Sequence, residues 1–429
     1  MKRIFSIVAA LLLLLLAACN TAGLPEASQS VSHVLTVDLE PGDTEASLKE
    51  RFGGEIMVMG DDFAVISFKQ EDDISLAALA DGKLEKNTLD FKSSDYEVGM
   101  NGTRAWASGT RAWASGTRAW ASATRAWASG QFELMPENTG SWKQIGLDKA
   151  YGLAPNLGNG VKVAIIDTGV DLTHPALLEA LAPASEWKDY VDGDALPQEE
   201  GNLGNGAYGH GTIIAGIVRQ IAPSATILPI RILNSEGAGY MADLVSAVDW
   251  ALQMKADIIN LSLGSDKYSL ATDYVIAKAA KAGVLVVAAS GNSGDEKVLF
   301  PAYRSVALTN FPAPYNRLSV GSVNAGDEKS PFSTYGYTVE LTAPGESIYG
   351  PAPDMMVASW TGTSMAAPVA AGALALALGE ELNVARNDLI DTLVDTATNV
   401  YSIGNNSKFA YKLGHGRINL ETFLNTVLK

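Results

Sequence analysis

Between residues 161 and 323 five apolar runs recur with helix-like stretches between them, and this alternation constrains the fold more than any other feature of the 429-residue chain. The runs are VKVAII (161–166), ATILPIRIL (225–233), DIINLSL (257–263), VLVVAAS (284–290) and LSVGSV (318–323). Each is continuous, as a strand buried on both faces must be. Between them, 241–255 carries Leu244, Val245, Val248, Ala251 and Leu252 along one helical face, and 270–283 reads as a helix closed by Gly283. The alternation predicts an α/β domain over 141–429, a mostly parallel sheet with helices on both faces. Ligands in such sheets bind beyond the carboxyl ends of the strands. Chemistry is sought there first.

General-base catalysis near neutral pH usually employs histidine, and the chain has only four: His33, His174, His210 and His415. His33 falls in the N-terminal part, and His174 (before a proline) and His415 (in the C-terminal tail) read as structural. His210 stands in Gly209-His210-Gly211-Thr212 at the start of a helical run, where small neighbours let other groups approach the imidazole. Asp167 closes the first apolar run, in IIDTGVD. A carboxylate buried there needs a partner, and an imidazolium is a suitable one; a turn or cap aspartate is the plainer alternative. Ser364 lies in TGTSMAAP (361–368) at the head of an Ala-rich run, and could be an ordinary helix N-cap or a nucleophile beside helix-start N–H groups. Asn292, in AASGNSG (288–294), is either a turn residue or an amide donor for an oxyanion.

Singly these strings are moderate signals. Together, in the order Asp, His, Asn, Ser, they resemble the subtilisin-like (S8-type) serine peptidases over nearly all of 141–429, with IAPSA (221–225), FPAP (311–314) and PFSTYG (331–336) adding to the likeness. The resemblance implies that Ser364 attacks the peptide carbonyl, His210 carries the proton and Asp167 orients the ring. Asn292 and the Ser364 N–H would hold the oxyanion. Gly237, Ala238 and Gly239, with Ser262, Leu263 and Gly264, would pair with an extended substrate. Ala289, Ser290 and Gly291 would line the pocket for the residue before the scissile bond, with room for a large apolar side chain. The family implies protein or peptide substrates, a monomer, and no cofactor for catalysis. Structural calcium is doubtful, because Val218-Arg219-Gln220-Ile221 leaves no space for the family's calcium loop and Ala176 replaces a frequent ligand aspartate. Asp189, Asp192 and Asp194 read as a solvated loop, and no metal site is assigned. This chain also lacks the second histidine of the family's His motif and the one after its Ser-motif proline, having Ile213 and Val369 instead; neither belongs to the triad.

The N-terminal third is organised differently. Lys2 and Arg3 precede an apolar stretch ending in Leu16-Ala17-Ala18-Cys19. It reads as an export signal over 1–18, and it resembles a bacterial lipobox, which would acylate Cys19, the single cysteine. Without a second thiol the chain has no internal disulfide. Residues 33–92 show the order β-α-β-β-α-β of a small ferredoxin-like α+β module, which the resemblance identifies as a propeptide that inhibits the enzyme until it is cut. Residues 93–140 form a linker with the heptads GTRAWAS at 102, 109 and 116 and ATRAWAS at 123. One large apolar residue per heptad, with recurrent glycine, argues against a coiled coil. The protein is thus expected to be exported as an envelope lipoprotein held to the membrane only through Cys19, with the catalytic part released if it is cut from the anchor.

The net charge of −17 argues against nucleic acid as a partner. Two other readings are weighed. In an α/β-hydrolase esterase Ser262 would be the nucleophile and His415 the base, but Asn260 stands where the elbow needs glycine. A catalytically silent surface-binding protein is disfavoured because all four site positions hold competent residues.

Overall fold

A computed structural model describes residues 31–88, 91–93, 135–202, 206–305, 316–354 and 356–428. The signal, Cys19, the Trp repeats and FPAP lie outside the described residues.

The N-terminal module comprises β1 (His33–Asp38), α1 (Glu45–Phe52), β2 (Glu55–Met59), β3 (Phe63–Phe68), α2 (Leu76–Asp81) and β4 (Lys83–Lys86). Its sheet runs β2-β3-β1-β4, with antiparallel pairs throughout. Period-two patterning sends neighbouring residues to opposite faces. Leu35, Ala64 and Ile66 therefore pack under α1 and α2 with Leu48, Phe52 and Ala78. Val34, Phe63 and Val65 point the other way and join the core of the larger domain.

The last strand of the expected β-α-β-β-α-β order ends early, at Lys86. Asn87 still bonds to the residues before β1, its N–H to the Ser32 carbonyl and its Nδ2 to the Val31 carbonyl, both at 2.9 Å, while its Oδ1 accepts the Ala242 N–H at 3.1 Å and the Thr88 carbonyl accepts the Met241 N–H at 3.3 Å. Residues Phe91–Ser93 then form β5 in a different sheet.

In the larger domain, α3 (Thr139–Gln144) and α4 (Leu147–Leu153) lead into β6 (Lys162–Asp167) and β7 (Lys188–Asp189). There follow α5 (His210–Ile221), β8 (Thr226–Arg231), β9 (Ala238–Gly239), α6 (Met241–Gln253), β10 (Ile258–Leu261), β11 (Leu263–Gly264), α7 (Leu270–Lys281) and β12 (Leu285–Ala289). The chain ends through β13 (Arg317–Val323), β14 (Leu341–Pro344), β15 (Ile348–Ala352), β16 (Met356–Trp360), α8 (Thr363–Leu378), α9 (Leu389–Asp395) and α10 (Leu420–Val427). Seven strands make a parallel sheet in the order β14-β13-β12-β10-β6-β8-β7. Val163, Ile165, Leu285 and Val287 face α5 and α8, whereas Ala164, Ile166, Val286 and Ala288 face α6 and α7. The expected α/β fold with both faces covered is what the chain adopts.

The module sits on α6 and α7 and supplies acceptors to their N-termini. Glu85 takes the N–H groups of Leu270 and Ala271, one on each carboxylate oxygen, at 3.1 and 2.9 Å. Four N–H groups at a helix start lack intrahelical acceptors, so this docking satisfies donors on both helices. It also leads the chain from β4 towards the carboxyl end of the parallel sheet.

Candidate active site

Asp167 is the last residue of β6 and is fully buried. Its Oδ1 accepts the Thr168 N–H at 2.7 Å and meets His210 Nδ1 at 2.6 Å. A carboxylate can only accept, so Nδ1 carries the ring proton and Nε2 is left as the basic nitrogen. His210 opens α5, whose residues are all buried. Gly209, at φ +99°, lets the chain enter the helix from a left-handed turn. At Gly211 any Cβ would run into the Gly169 carbonyl. That contact brings the start of α5 against the loop after β6.

Ser364 is the second residue of α8, which packs along α5. The helix N-cap is Gly362, with no side-chain cap bond, so Ser364 is not a capping serine. Its hydroxyl donates to the Ser262 carbonyl at 3.2 Å, and Ser262 Oγ donates back to the Ser364 carbonyl at 2.8 Å. Trp360, just upstream, sets its ring edge-on to His210 with centroids 5.6 Å apart. The Asn292 carbonyl oxygen accepts both the N–H (2.8 Å) and the hydroxyl (3.0 Å) of Thr363. These two donors fix the amide's orientation. Asn292 Nδ2 is buried beside the head of α8 and has no protein partner among the described residues.

The segments expected to pair with substrate are brought together around part of the chain itself. β5 lies between β9 and β11 in an antiparallel sheet, with Phe91 opposite Gly239, Lys92 opposite Ala238 and Gly264, and Ser93 opposite Leu263. Gly237 (φ +74°) lies in the turn that presents β9, and its N–H bonds to the Asn234 carbonyl. Ser262 immediately precedes β11, and its carbonyl accepts the Ser364 hydroxyl.

Ala289 ends β12, Ser290 bonds to the Thr334 carbonyl and the Gly291 N–H donates to Thr363 Oγ1. The space beside these small residues is not open. Leu299 N donates to the Ser290 carbonyl, and Phe300 forms a bridge with Ser265, so 299–300 spans the two walls. A Cβ built on Gly264 or Gly291 would lie 2.9 or 2.8 Å from the Leu299 side chain. The sequence reading missed Leu299, which in VLFP looks like any core residue.

His174 and His415 are engaged otherwise. His174 accepts the Ala176 N–H on Nδ1 and reaches the Met356 carbonyl through Nε2, and burial pulls its pKa down to about 4. His415 pairs with Asp395 at 3.3 Å on the surface. The Ser262 hydroxyl is spent on the Ser364 carbonyl, which is a poor arrangement for a nucleophile. Asp189 and Asp192, read as a solvated loop, instead bind the buried Arg231 guanidinium at 2.9 and 2.5 Å. Among the described residues no cluster of three or more His, Cys, Asp or Glu is arranged to hold a metal ion.

Comparison with known proteins matches residues 158–416 to the subtilase family (peptidase S8). The chain is 36% identical over 274 residues to subtilisin DY of Bacillus licheniformis, covering 62% of this chain and 90% of that protein. It is 38% identical over 229 residues to thermitase of Thermoactinomyces vulgaris, covering 51% of this chain and 75% of that protein. With subtilisin NAT of Bacillus subtilis subsp. natto it shares 34% identity over 274 residues, 62% of this chain, and spans only 65% of that protein's length. The matched family region contains β6, α5 and α8 together with Asn292, and it extends over more than half of the sequence: the chain belongs to the subtilase family of serine peptidases.

Proposed function

We propose that the protein is a serine endopeptidase made as an exported zymogen, with Asp167, His210 and Ser364 as its triad. The observation that carries this reading is β5: a peptide strand is seated between β9 and β11, beside the carbonyl that accepts the Ser364 hydroxyl. In the reaction Ser364 Oγ attacks the scissile carbonyl while His210 Nε2 takes its proton, and Asp167 stabilises the imidazolium through Nδ1–H. The tetrahedral oxyanion receives Asn292 Nδ2–H and the Ser364 N–H. The proton passes to the leaving amine, the C–N bond breaks, and water resolves the acyl-enzyme by the same route. These groups complete the cycle without a cofactor.

The module over 33–92 acts in this reading as a propeptide, and 93–140 links it to the peptidase domain over 141–429. The strand β5 ends at Ser93 opposite Leu263, one position short of Ser262. Self-cleavage directly after this strand therefore leaves the Arg-Trp repeats on the mature enzyme and separates it from the module. With residues 1–18 as signal and Cys19 acylated, the same cut detaches the catalytic part from its lipid anchor. The mature enzyme is a monomer acting on protein or peptide substrates.

Hydrolysis of a tetrapeptide anilide by the purified chain, compared across Ser364→Ala, His210→Ala and His415→Ala, tests the assignment. The first two abolish turnover and the third retains it. Loss in His415→Ala with retention in Ser364→Ala would reverse the assignment.

A further inference from the structure

We propose that Glu199 is a positioning residue for the Asp167–His210 pair, a buried carboxylate that locks the strand end bearing the aspartate to the helix bearing the histidine. The inference rests on the triad reading above and extends it. Glu199 is 3% exposed, and the described bonds of its carboxylate go to Thr168, Gly209 and Thr212, close to the pair in sequence. Thr168, next to Asp167, donates its hydroxyl to Glu199 Oε1. Gly209, just before His210, donates its N–H to the same oxygen at 3.0 Å. Thr212, in the first turn of α5, donates its hydroxyl to Oε2.

Both threonine oxygens also serve as acceptors. Gly211 N–H reaches Thr168 Oγ1 at 2.9 Å, and Asp171 N–H reaches Thr212 Oγ1 at 2.8 Å. Each hydroxyl thus relays a backbone donor of the opposite segment to the carboxylate, and the two segments are cross-linked twice. Val170 bridges to Gln198, which fixes the loop carrying Glu199 alongside. Three donors converging on two oxygens suit an ionised carboxylate.

The charged and titratable neighbours can be named by element. Asp167 and Asp171 come from β6 and the loop after it, Tyr208 from the turn before α5 and His210 from its first residue. Arg231 at the end of β8 approaches Gly169, with its guanidinium engaged by Asp189, Asp192 and Glu200. Burial, and to a smaller extent the Asp167 charge, raise the Glu199 pKa to about 7 against the pull of its three donors. As pH falls through this range the carboxyl gains a proton, and one donor must give up its acceptor. The same negative charge, when present, favours the protonated imidazole.

The test is steady-state kinetics of the matured full-length protein and its Glu199→Gln variant on a tetrapeptide anilide, with active sites counted by a fluorophosphonate. Expected are a kcat about tenfold or more lower, a KM within about twofold, and an acid limb of kcat/KM moved to lower pH. Thr212→Val should reproduce the kcat loss and Thr212→Ser should restore it, which decides the question if Glu199→Gln does not fold. A lower Tm with kcat per titrated site and acid limb unchanged, in the Gln variant or in Thr212→Val, would overturn the proposal. If the wild-type chain shows no Ser364-dependent hydrolysis, the proposed function fails and this role fails with it. If wild-type turnover is Ser364-dependent and Glu199→Gln matches it, only the role of Glu199 is lost.

Discussion

At the scale of single residues the site depends on which atoms are already committed. Asn292 gives its carbonyl to Thr363 and keeps its amide N–H groups for a new acceptor. Asn292→Ala should therefore lower kcat by about 10²–10³ with little change in KM, as for loss of one oxyanion donor; single-turnover kinetics checks this. His174 presents the opposite case, a histidine committed at both nitrogens and held neutral. Its folded pKa of about 4 lies below the usual 6.5. The unfolded chain thus binds the extra proton first, and stability is lost as pH falls from about 6.5 towards 4. The window is worth about 3 kcal/mol. Denaturant unfolding in a Ser364→Ala background should show His174→Gln with a shallower fall in stability over that range than its parent. The motif residues were legible because glycines, serine and histidine recur at strand ends in a fixed order. Glu199 was not: in Pro197-Gln198-Glu199-Glu200-Gly201 it looks as solvated as Glu200, and only the fold shows that one carboxyl is buried between two threonines while the other reaches Arg231.

At the scale of elements, continuous apolar runs revealed the parallel sheet, and alternation revealed the module's strands. Periodicity says nothing about where a strand breaks to serve a second partner. It cannot show that the module's last strand stops at Lys86, where the Asn87 side chain and the Thr88 carbonyl turn to the start of α6. Likewise, small residues at 289–291 promised room for a large side chain, while the bridging segment 299–300 brings the Leu299 side chain against Gly264 and Gly291. The wild-type enzyme should prefer a small side chain before the scissile bond. Leu299→Ala should raise kcat/KM for a phenylalanine substrate relative to an alanine one by about 10-fold or more, a difference of one to two methylene equivalents. A matched pair of tetrapeptide anilides measures it, and a wild type already favouring phenylalanine would contradict the pocket assignment.

At the scale of the whole molecule, the module does two things with one surface. Its open sheet face completes the core over α6 and α7, and Glu85 and Asn87 supply acceptors at both helix starts. The chain leaving that face becomes the strand in the cleft. A segment anchored on one side and held between β9 and β11 on the other would meet Ser364 as a substrate at high effective concentration. The first turnover should accordingly be intramolecular and independent of protein concentration. The most direct test is the intact mass of freshly purified full-length protein followed over time, beside Ser364→Ala. The wild type should split once in a first-order process directly C-terminal to β5, with Ser364→Ala remaining whole. Equal cleavage of both proteins at that point, or an active wild type that stays uncut there, would contradict it.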